Sequence, residues 1–360
     1  MRVRVVGAGI AGLTAALCLA RAGHEVDIDE AASALEPVGA GIQLPPNAMA
    51  VIRELGLEHA VNATASAPRS IDVIDGPSGR RLTRLPLGAA FERRFGAPYL
   101  VIHRGDLHHV LLDAVVHQPR VSLRLGTRWT GAAAEEGTWT IGADGVHSET
   151  RRRVRTGAGV EAVASGFVAW RGLVDTRAVE WPEARSRVVA HLGSGAHLVH
   201  YPVSSGRRIN IVAIAREDAG APMHTFGAWS ERSRTLAEAV DDWSSWPILS
   251  VDEGAPWSRG RTALIGDAAH AMWPYAAQGG AMALEDAATL AAALADGDVA
   301  EWERRRRARV ARVAALARRN RRIYHLGGMA RLARNVAMRL APPAVLTRAS
   351  DALYSSASRP

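Results

Sequence analysis

An α/β fold is what this sequence predicts: a three-layer domain on a parallel sheet, an interleaved and mostly antiparallel second sheet, and helices at the C-terminal end. Three observations carry that expectation. Residues 1–30 read as strand, glycine turn, helix, strand. Residues 160–216 are rich in Val, Ile, Tyr and Trp and are broken by Gly and Ser turns. From Trp302 onward the pattern is mostly helical, interrupted at Gly327-Gly328 and Pro342-Pro343.

The first thirty residues organise the rest. An apolar strand, Val3 to Val6, enters Gly7-Ala8-Gly9-Ile10-Ala11-Gly12. A helix-forming run from Leu13 to Ala22 ends at Gly23, and a second strand, Glu25 to Ile28, closes on Asp29 and Glu30. This spacing has a mechanism. Gly7 permits the sharp turn, Gly9 lets a pyrophosphate approach the backbone, and Gly12 lets helix and strand pack closely. The free N–H groups at the helix start then face the phosphates. Glu30, at the tip of the second strand, can accept hydrogen bonds from an adenosine ribose. The pattern predicts a Rossmann-like dinucleotide site and by itself does not separate NAD from FAD.

The remaining elements follow in order. Glycines and two prolines between Gly39 and Asn47 make an irregular, close-approach segment, followed by a helix over 48–55. Residues 67–97 alternate around Gly76-Pro77-Ser78-Gly79, which predicts a hairpin leaving the nucleotide domain. Val101 to Leu107 opens a helix reaching about Val116, with Asp106 as its expected N-cap. Arg104, just before that helix, faces either the cofactor or solvent; position alone does not choose. A strand over 121–125 precedes a second one that enters Gly142-Ala143-Asp144-Gly145. Strands are expected over 166–174, 187–192, 197–203 and 208–215, then a helix over 225–240. A third strand-to-glycine turn, Leu264-Ile265-Gly266-Asp267, precedes Gln278-Gly279-Gly280 and a long helix starting near Ala281. The expected division is a discontinuous nucleotide domain (1–66, 98–150 and 260–325), a substrate domain (67–97 and 151–259) and a C-terminal helical segment (326–360).

Composition excludes several classes. A single cysteine, Cys18, rules out a disulfide framework within the chain and a thiolate metal cluster. No apolar run is long enough to span a bilayer, and no signal peptide precedes the glycine turn, so a cytoplasmic setting is expected. The net charge of +8 is concentrated late: residues 301–340 hold 13 arginines against Glu301 and Glu303. Such a helix can bind nucleic acid or a membrane surface. Here the cationic residues are all arginine, with no lysine, and no aromatic platforms alternate with them. A solvated helix is the simpler reading, with neither nucleic acid nor membrane as a partner. The histidines are dispersed, without ligand-type pairing, and no metal is expected.

Taken together the three turns resemble the fingerprints of single-component FAD-dependent aromatic hydroxylases, the group A flavoprotein monooxygenases. The residues are Val5-Val6-Gly7-Ala8-Gly9-Ile10-Ala11-Gly12-Leu13, Gly142-Ala143-Asp144-Gly145-Val146-His147-Ser148, and Gly266-Asp267-Ala268-Ala269-His270 with Pro274 and Gln278-Gly279. Residues 39–48, 197–202 and 282–287 are similar to the salicylate hydroxylase and 6-hydroxynicotinate 3-monooxygenase branch. The resemblance covers nearly the whole chain. It implies FAD held by Gly7, Gly9, Ala11, Gly12 and, at the ribose, Glu30. Arg104 would contact the pyrophosphate region, Asp144 would serve a structural and nicotinamide-related role, and Asp267 would hold the ribityl chain or pyrophosphate. Gly279, Gly280 and Ala281 would lie beside the isoalloxazine ring, where the helix N-terminus favours the anionic reduced flavin. The implied reaction uses NADH or NADPH, O2 and a flavin C4a-hydroperoxide to hydroxylate a small phenolic or heteroaromatic acid, in a monomer or homodimer.

Side-chain chemistry on the second sheet adds candidates. A base that draws a proton from a ring hydroxyl makes the ring more nucleophilic. His197 and Tyr201 are at even spacing on one predicted strand and so share a face, while His200 points away. Gln43, Trp273 and Tyr275 are further pocket candidates, and His270 is expected to be structural. A hydrolase built on Asp144, His147 and Ser148 is disfavoured because no Gly-x-Ser-x-Gly elbow frames the serine. Relatives in this family carry a three-stranded meander before the Gly142 turn; here residues 126–138 are too short and glycine- and alanine-rich for it. That departure leaves open a non-catalytic member with impaired FAD binding, and a non-hydroxylating flavin oxidase or dehydrogenase is the other alternative.

Overall fold

Alternating strand and helix patterns in the first half produce a parallel sheet, and the Val/Ile-rich middle produces an antiparallel one. The computed structural model describes residues 1–35, 39–131, 137–157, 159–342, 350–351 and 353–355. In chain order the elements are β1 (Arg2–Val6), α1 (Ile10–Arg21), β2 (Glu25–Asp29), β3 (Gly41–Leu44), α2 (Pro46–Glu54) and α3 (Glu58–Thr64). The hairpin β4 (Ser70–Asp75) and β5 (Arg81–Pro86) follows. Next are α4 (Ala89–Phe95), β6 (Leu100–His103), α5 (Arg104–Val116), β7 (Val121–Arg124), β8 (Trp139–Gly142) and α6 (Arg151–Val154). The middle holds β9 (Val163–Asp175), β10 (Val188–Gly193), β11 (Ala196–Val203), β12 (Arg208–Arg216), α7 (Pro222–Phe226), α8 (Glu231–Glu238) and β13 (Ser244–Ser250). The chain ends with β14 (Ser258–Arg259), β15 (Thr262–Leu264), α9 (Asp267–His270), α10 (Gly279–Asp296), α11 (Val299–Tyr324) and α12 (Gly328–Leu340).

The first sheet has strand order β14-β15-β8-β1-β2-β7 and is parallel except for the β14–β15 pair. Its central strands carry Val3, Val5, Ile28 and Ile141, all fully buried. Such near-continuous apolar runs are expected where helices cover both faces. α1 packs against α10 and α5. Leu13, Leu284 and Leu290 fill the space between sheet and helices, each burial worth roughly 1.5–3 kcal/mol.

The second sheet has order β13-β9-β12-β11-β10-β4-β5. Its pairs are antiparallel save β4 with β10, which run parallel. One face packs on α7 and α8 through Trp170, Leu198, Ile211, Phe226 and Leu236. The other face packs against β3, β6 and the Trp273, Tyr275 and Ala276 side chains that lead into α10.

Three local expectations are corrected. The N-cap of α5 is His103, whose ring accepts from the Gly105 N–H at 3.2 Å; Asp106 lies inside the first turn. The helix expected over 225–240 is two, because Gly227 and Ser230 interrupt it. α10 begins at Gly279, two residues before Ala281. Between Leu125 and Gly131, and at 137–138, no strand forms. The rest of the shortened segment, 132–136, lies outside the described residues.

Candidate active site

The three glycine turns meet. Gly7 has φ +100, and a Cβ there would lie 2.7 Å from the Ala143 carbonyl oxygen, so the first and second turns touch backbone to backbone. Gly12 is tighter still: a Cβ would stand 1.9 Å from the Gly7 carbonyl oxygen. Gly266 packs against Ala11 of α1 and Ala283 of α10, which brings in the third turn. Beside Gly9 and Gly279 there is open space instead. The helices they begin, α1 and α10, have no side-chain cap, which leaves N-terminal N–H groups to face a ligand.

Glu30 lines a cleft with Gly9, Ala32, Arg104 and His108. Its carboxylate accepts from the Ala8 N–H at 2.7 Å and the Ala32 N–H at 2.8 Å. A carboxylate has about four acceptor sites, so it retains capacity for ribose hydroxyls. Arg104 starts α5 and packs against Gly39, and His108 reaches the Ala8 carbonyl at 2.7 Å. Asp144 accepts from the Ser148 hydroxyl at 2.5 Å and from the Thr150 N–H at 2.9 Å, which closes the second turn on itself. His147 is exposed and Ser148 buried.

A buried ion network pins the third turn. Asp286 accepts from the Gly266 N–H at 2.9 Å, from His270 at 2.5 Å and from Arg306 at 2.8 Å. Burial pushes the Asp286 carboxyl up, but His270 and Arg306 outweigh it and hold it at about 2. Arg306 also pairs with Glu285 at 2.5 Å, and Glu285 accepts from Asn47 at 2.8 Å. Asn47 donates in turn to Gln278, the residue before α10, at 3.1 Å. Ala277 beside it adopts φ +50, a strained conformation for a residue with a Cβ. The start of α10 is thereby fixed relative to the Gly266 turn.

The second sheet supplies the floor. β11 places His197 and Tyr201 on one face and His200 on the other, where it meets His191 at 3.0 Å. Gly41 of β3 closes over Tyr201 and Asn210: a Cβ there would lie 2.5 Å from the Tyr201 ring. The Asn210 carbonyl oxygen accepts from the Gly41 N–H at 2.6 Å. Gln43 on the same strand takes a short hydrogen bond from Tyr99. Burial pushes the Tyr201 phenol well above the ordinary phenol range, against the pull of Arg171 and Gln43, so its proton stays on. His197 is stacked near Tyr275, ring centroids 5.1 Å apart, and hydrogen-bonds His325 at 2.9 Å. Burial, then the neighbouring imidazole, drives His197 well below the usual range. Burial and the Arg321 and Arg334 cations bring His325 down to about 4.

The chain matches the FAD binding domain family over residues 1–299. It is 36% identical over 353 residues to the 3-amino-4-hydroxybenzoate 2-monooxygenase of Streptomyces cremeus, spanning 91% of this chain and 88% of that protein. With the 3-hydroxybenzoate 6-hydroxylase of Polaromonas naphthalenivorans it shares 34% identity over 366 residues, 92% of this chain and 90% of the other. This chain belongs to the FAD-dependent aromatic hydroxylases. Its cofactor is FAD, and NAD(P)H is the usual reductant of such enzymes. Among solved structures, Klebsiella pneumoniae HpxO complexed with FAD and uric acid superposes with a TM-score of 0.85 at 26% identity, covering 99% of this chain and 97% of that one. A salicylate hydroxylase substrate complex has the same fold, with a TM-score of 0.80 at 23% identity over 98% of this chain and 95% of that one.

The residues of this hydroxylase fit FAD. Gly9 and Gly279 leave open space where phosphate and flavin would approach, and Glu30 lines the cleft beside Gly9. Gln278 carries a buried, unpartnered amide nitrogen at the start of α10, a donor for a bound group. Sequence reading missed Arg171, Asn210 and His325. The first two are isolated polar residues inside apolar strands, a signal that was present and unused. His325 ends a long helix far along the chain, and nothing local couples it to β11.

No helix of the described residues is long and apolar enough to cross a membrane. Among those residues no group of three His, Cys, Asp or Glu is placed to hold a metal ion.

Proposed function

We propose that this protein is an NAD(P)H-dependent FAD monooxygenase that hydroxylates a small phenolic or heteroaromatic acid with O2. The observation that carries the proposal is the meeting of two surfaces: the Trp273–Ala276 stretch that leads into the uncapped start of α10 packs against a sheet floor that presents Tyr201 and His197. The curated relatives named above, which act on hydroxylated or aminated benzoates, support the substrate class. We assign residues 1–66, 98–150 and 260–325 to the cofactor and 67–97 with 151–259 to the substrate. Gly7, Gly9, Ala11, Gly12, Glu30 and Arg104 hold the adenosine and pyrophosphate end in this reading, and Asp144 serves the structural and nicotinamide-related role. Gln43, Asp267, Gly279, Gly280 and Ala281 hold the flavin end.

FAD, when bound and reduced by NAD(P)H, would supply the activation of O2, one atom of which passes to the ring while the other leaves as water. The chain's residues do the rest. Tyr201, protonated across the neutral range, donates to the oxygen of the substrate hydroxyl and fixes the ring over the floor. His197 and His325 start neutral, one imidazole donating to the other. His197, kept neutral by burial and by its His325 neighbour, accepts a hydrogen bond from the hydroxyl. Electron density drawn onto the ring in this way makes it the better nucleophile. Trp273, Tyr275 and Tyr324 exclude water around the pair.

Two measurements on the purified protein test the proposal. The visible spectrum should show flavin bands, and hydroxylated benzoic or nicotinic acids should stimulate NAD(P)H oxidation. A colourless protein that binds no added FAD, or one whose NAD(P)H consumption no aromatic compound alters, would sink it.

A further inference from the structure

On the floor of the second sheet, register places Arg171 of β9 opposite Val212 of β12. Val212 in turn stands opposite Val199 of β11, with Tyr201 and Asn210 one row to one side and His197 one row to the other. A Cβ on the next residue, Gly172, would run into Val240 behind the sheet. Side chains alternate along a strand, so Arg171 projects from the opposite face, toward Tyr201.

Arg171 is largely enclosed, and its Nε is buried with no hydrogen-bond partner. Among the described residues no carboxylate forms an ion pair with it. Burial lowers its hold on the proton and the Arg104 cation adds to that, with the Asp267 carboxylate, which forms no ion pair with it, as the opposing charge. A guanidinium taken from water without a paired counter-charge is costly, and a bound anion relieves that cost. Asn210 repeats the pattern: its oxygen is used by Gly41, and its amide nitrogen is buried without an acceptor. Two unpartnered donors, one cationic, thus share one face on neighbouring strands.

We propose that Arg171, with the Asn210 amide as second donor, anchors the carboxylate of the aromatic substrate. This rests on the hydroxylase reading above and names the group that selects acids within it. Two strand spacings and one two-residue step separate the backbones of Arg171 and Tyr201, on the order of 12 Å. Once both side chains reach inward, one aromatic ring bearing a carboxylate at one end and a hydroxyl at the other spans the gap. Val212 and Val199 form the apolar bed under that ring. The bidentate geometry of a guanidinium suits a carboxylate and fixes the ring in its plane.

The other acceptor available to Arg171 is a flavin ring oxygen, and the test separates the two. Holoenzyme is titrated with 3-hydroxybenzoate, 6-hydroxynicotinate and the matching carboxamides, following the flavin spectrum. Wild type should prefer acid to carboxamide by at least about 100-fold. Arg171→Met should keep its FAD and lose that preference, with carboxamide affinity within about threefold of wild type, and Arg171→Lys should fall between. Release of FAD from Arg171→Met with the acid preference intact assigns the residue to the flavin and overturns the proposal. An equal loss of acid and carboxamide binding, or a wild type indifferent to the carboxylate, does the same. Label from O2 in neutral phenols without acid preference removes the anion site and leaves the hydroxylase standing; acid binding through Arg171 without oxygen incorporation does the reverse.

Discussion

The two sides of the proposed site are built on opposite terms. Around the glycine turns the carboxylates are satisfied: Glu30 binds two backbone N–H groups, Asp144 closes its own turn, and Asp286 takes three donors, while Gln278 keeps one amide nitrogen unpartnered at the start of α10. On the sheet floor the groups are left unpaired or held neutral. Arg171, Asn210 and Tyr275 each keep a buried polar atom without a partner, and His197 and His325 are driven down by burial. A satisfied region holds a shape, whereas an unsatisfied one waits for a ligand to complete it. On the proposed reading the turns form a fixed cradle, and the floor is where specificity is read.

Breaking the cradle should have the largest effect. Asp286→Asn leaves Arg306 and His270 without a full counter-charge, and urea unfolding should show a loss of about 3–5 kcal/mol. A variant with an unchanged midpoint would mean the network does not pin the third turn. The same carboxyl gives the pH dependence. Its folded value is depressed to about 2, below the ordinary carboxylate range, so its stabilisation is present above about pH 4 and is lost as pH falls toward 2. The gap between wild type and Asp286→Asn should therefore narrow across that window, and a constant gap would contradict the assignment.

Two smaller effects sharpen the contrast. Glu30→Gln keeps the shape but weakens charge-assisted acceptance. FAD dissociation, followed by flavin fluorescence, should become about tenfold easier, with stability changed by less than about 1 kcal/mol. His325→Phe removes the partner of His197 without touching the cradle. Turnover should fall about tenfold and KM should change little. A rise in KM with turnover intact would place His325 in binding only.

The sequence made the cradle legible because its parts are local. A strand, a glycine spacing and a terminal acid sit within thirty residues, and backbone contact dictates each glycine. Three such turns far apart in the chain led to the family. The floor was legible only in its alternation: even spacing put His197 and Tyr201 on one face and His200 on the other. Its chemistry was not, because Arg171, Asn210 and His325 acquire their meaning from register between β9, β11 and β12 and from the return of α11. Cap assignment failed at Asp106 for a related reason. The helix starts one residue after His103, whose ring bonds the Gly105 N–H, and an imidazole is not a residue that capping rules look for.

The most direct test of the account uses isotopically labelled O2. The purified protein, reconstituted with FAD and NAD(P)H, is given a panel of hydroxylated benzoic and nicotinic acids, and the products are weighed by mass spectrometry. A facing pair of flavin cradle and aromatic-acid floor predicts one labelled oxygen in the product ring for each NAD(P)H consumed. Hydrogen peroxide as the sole oxygen product, with every aromatic acid returned unlabelled, would contradict it.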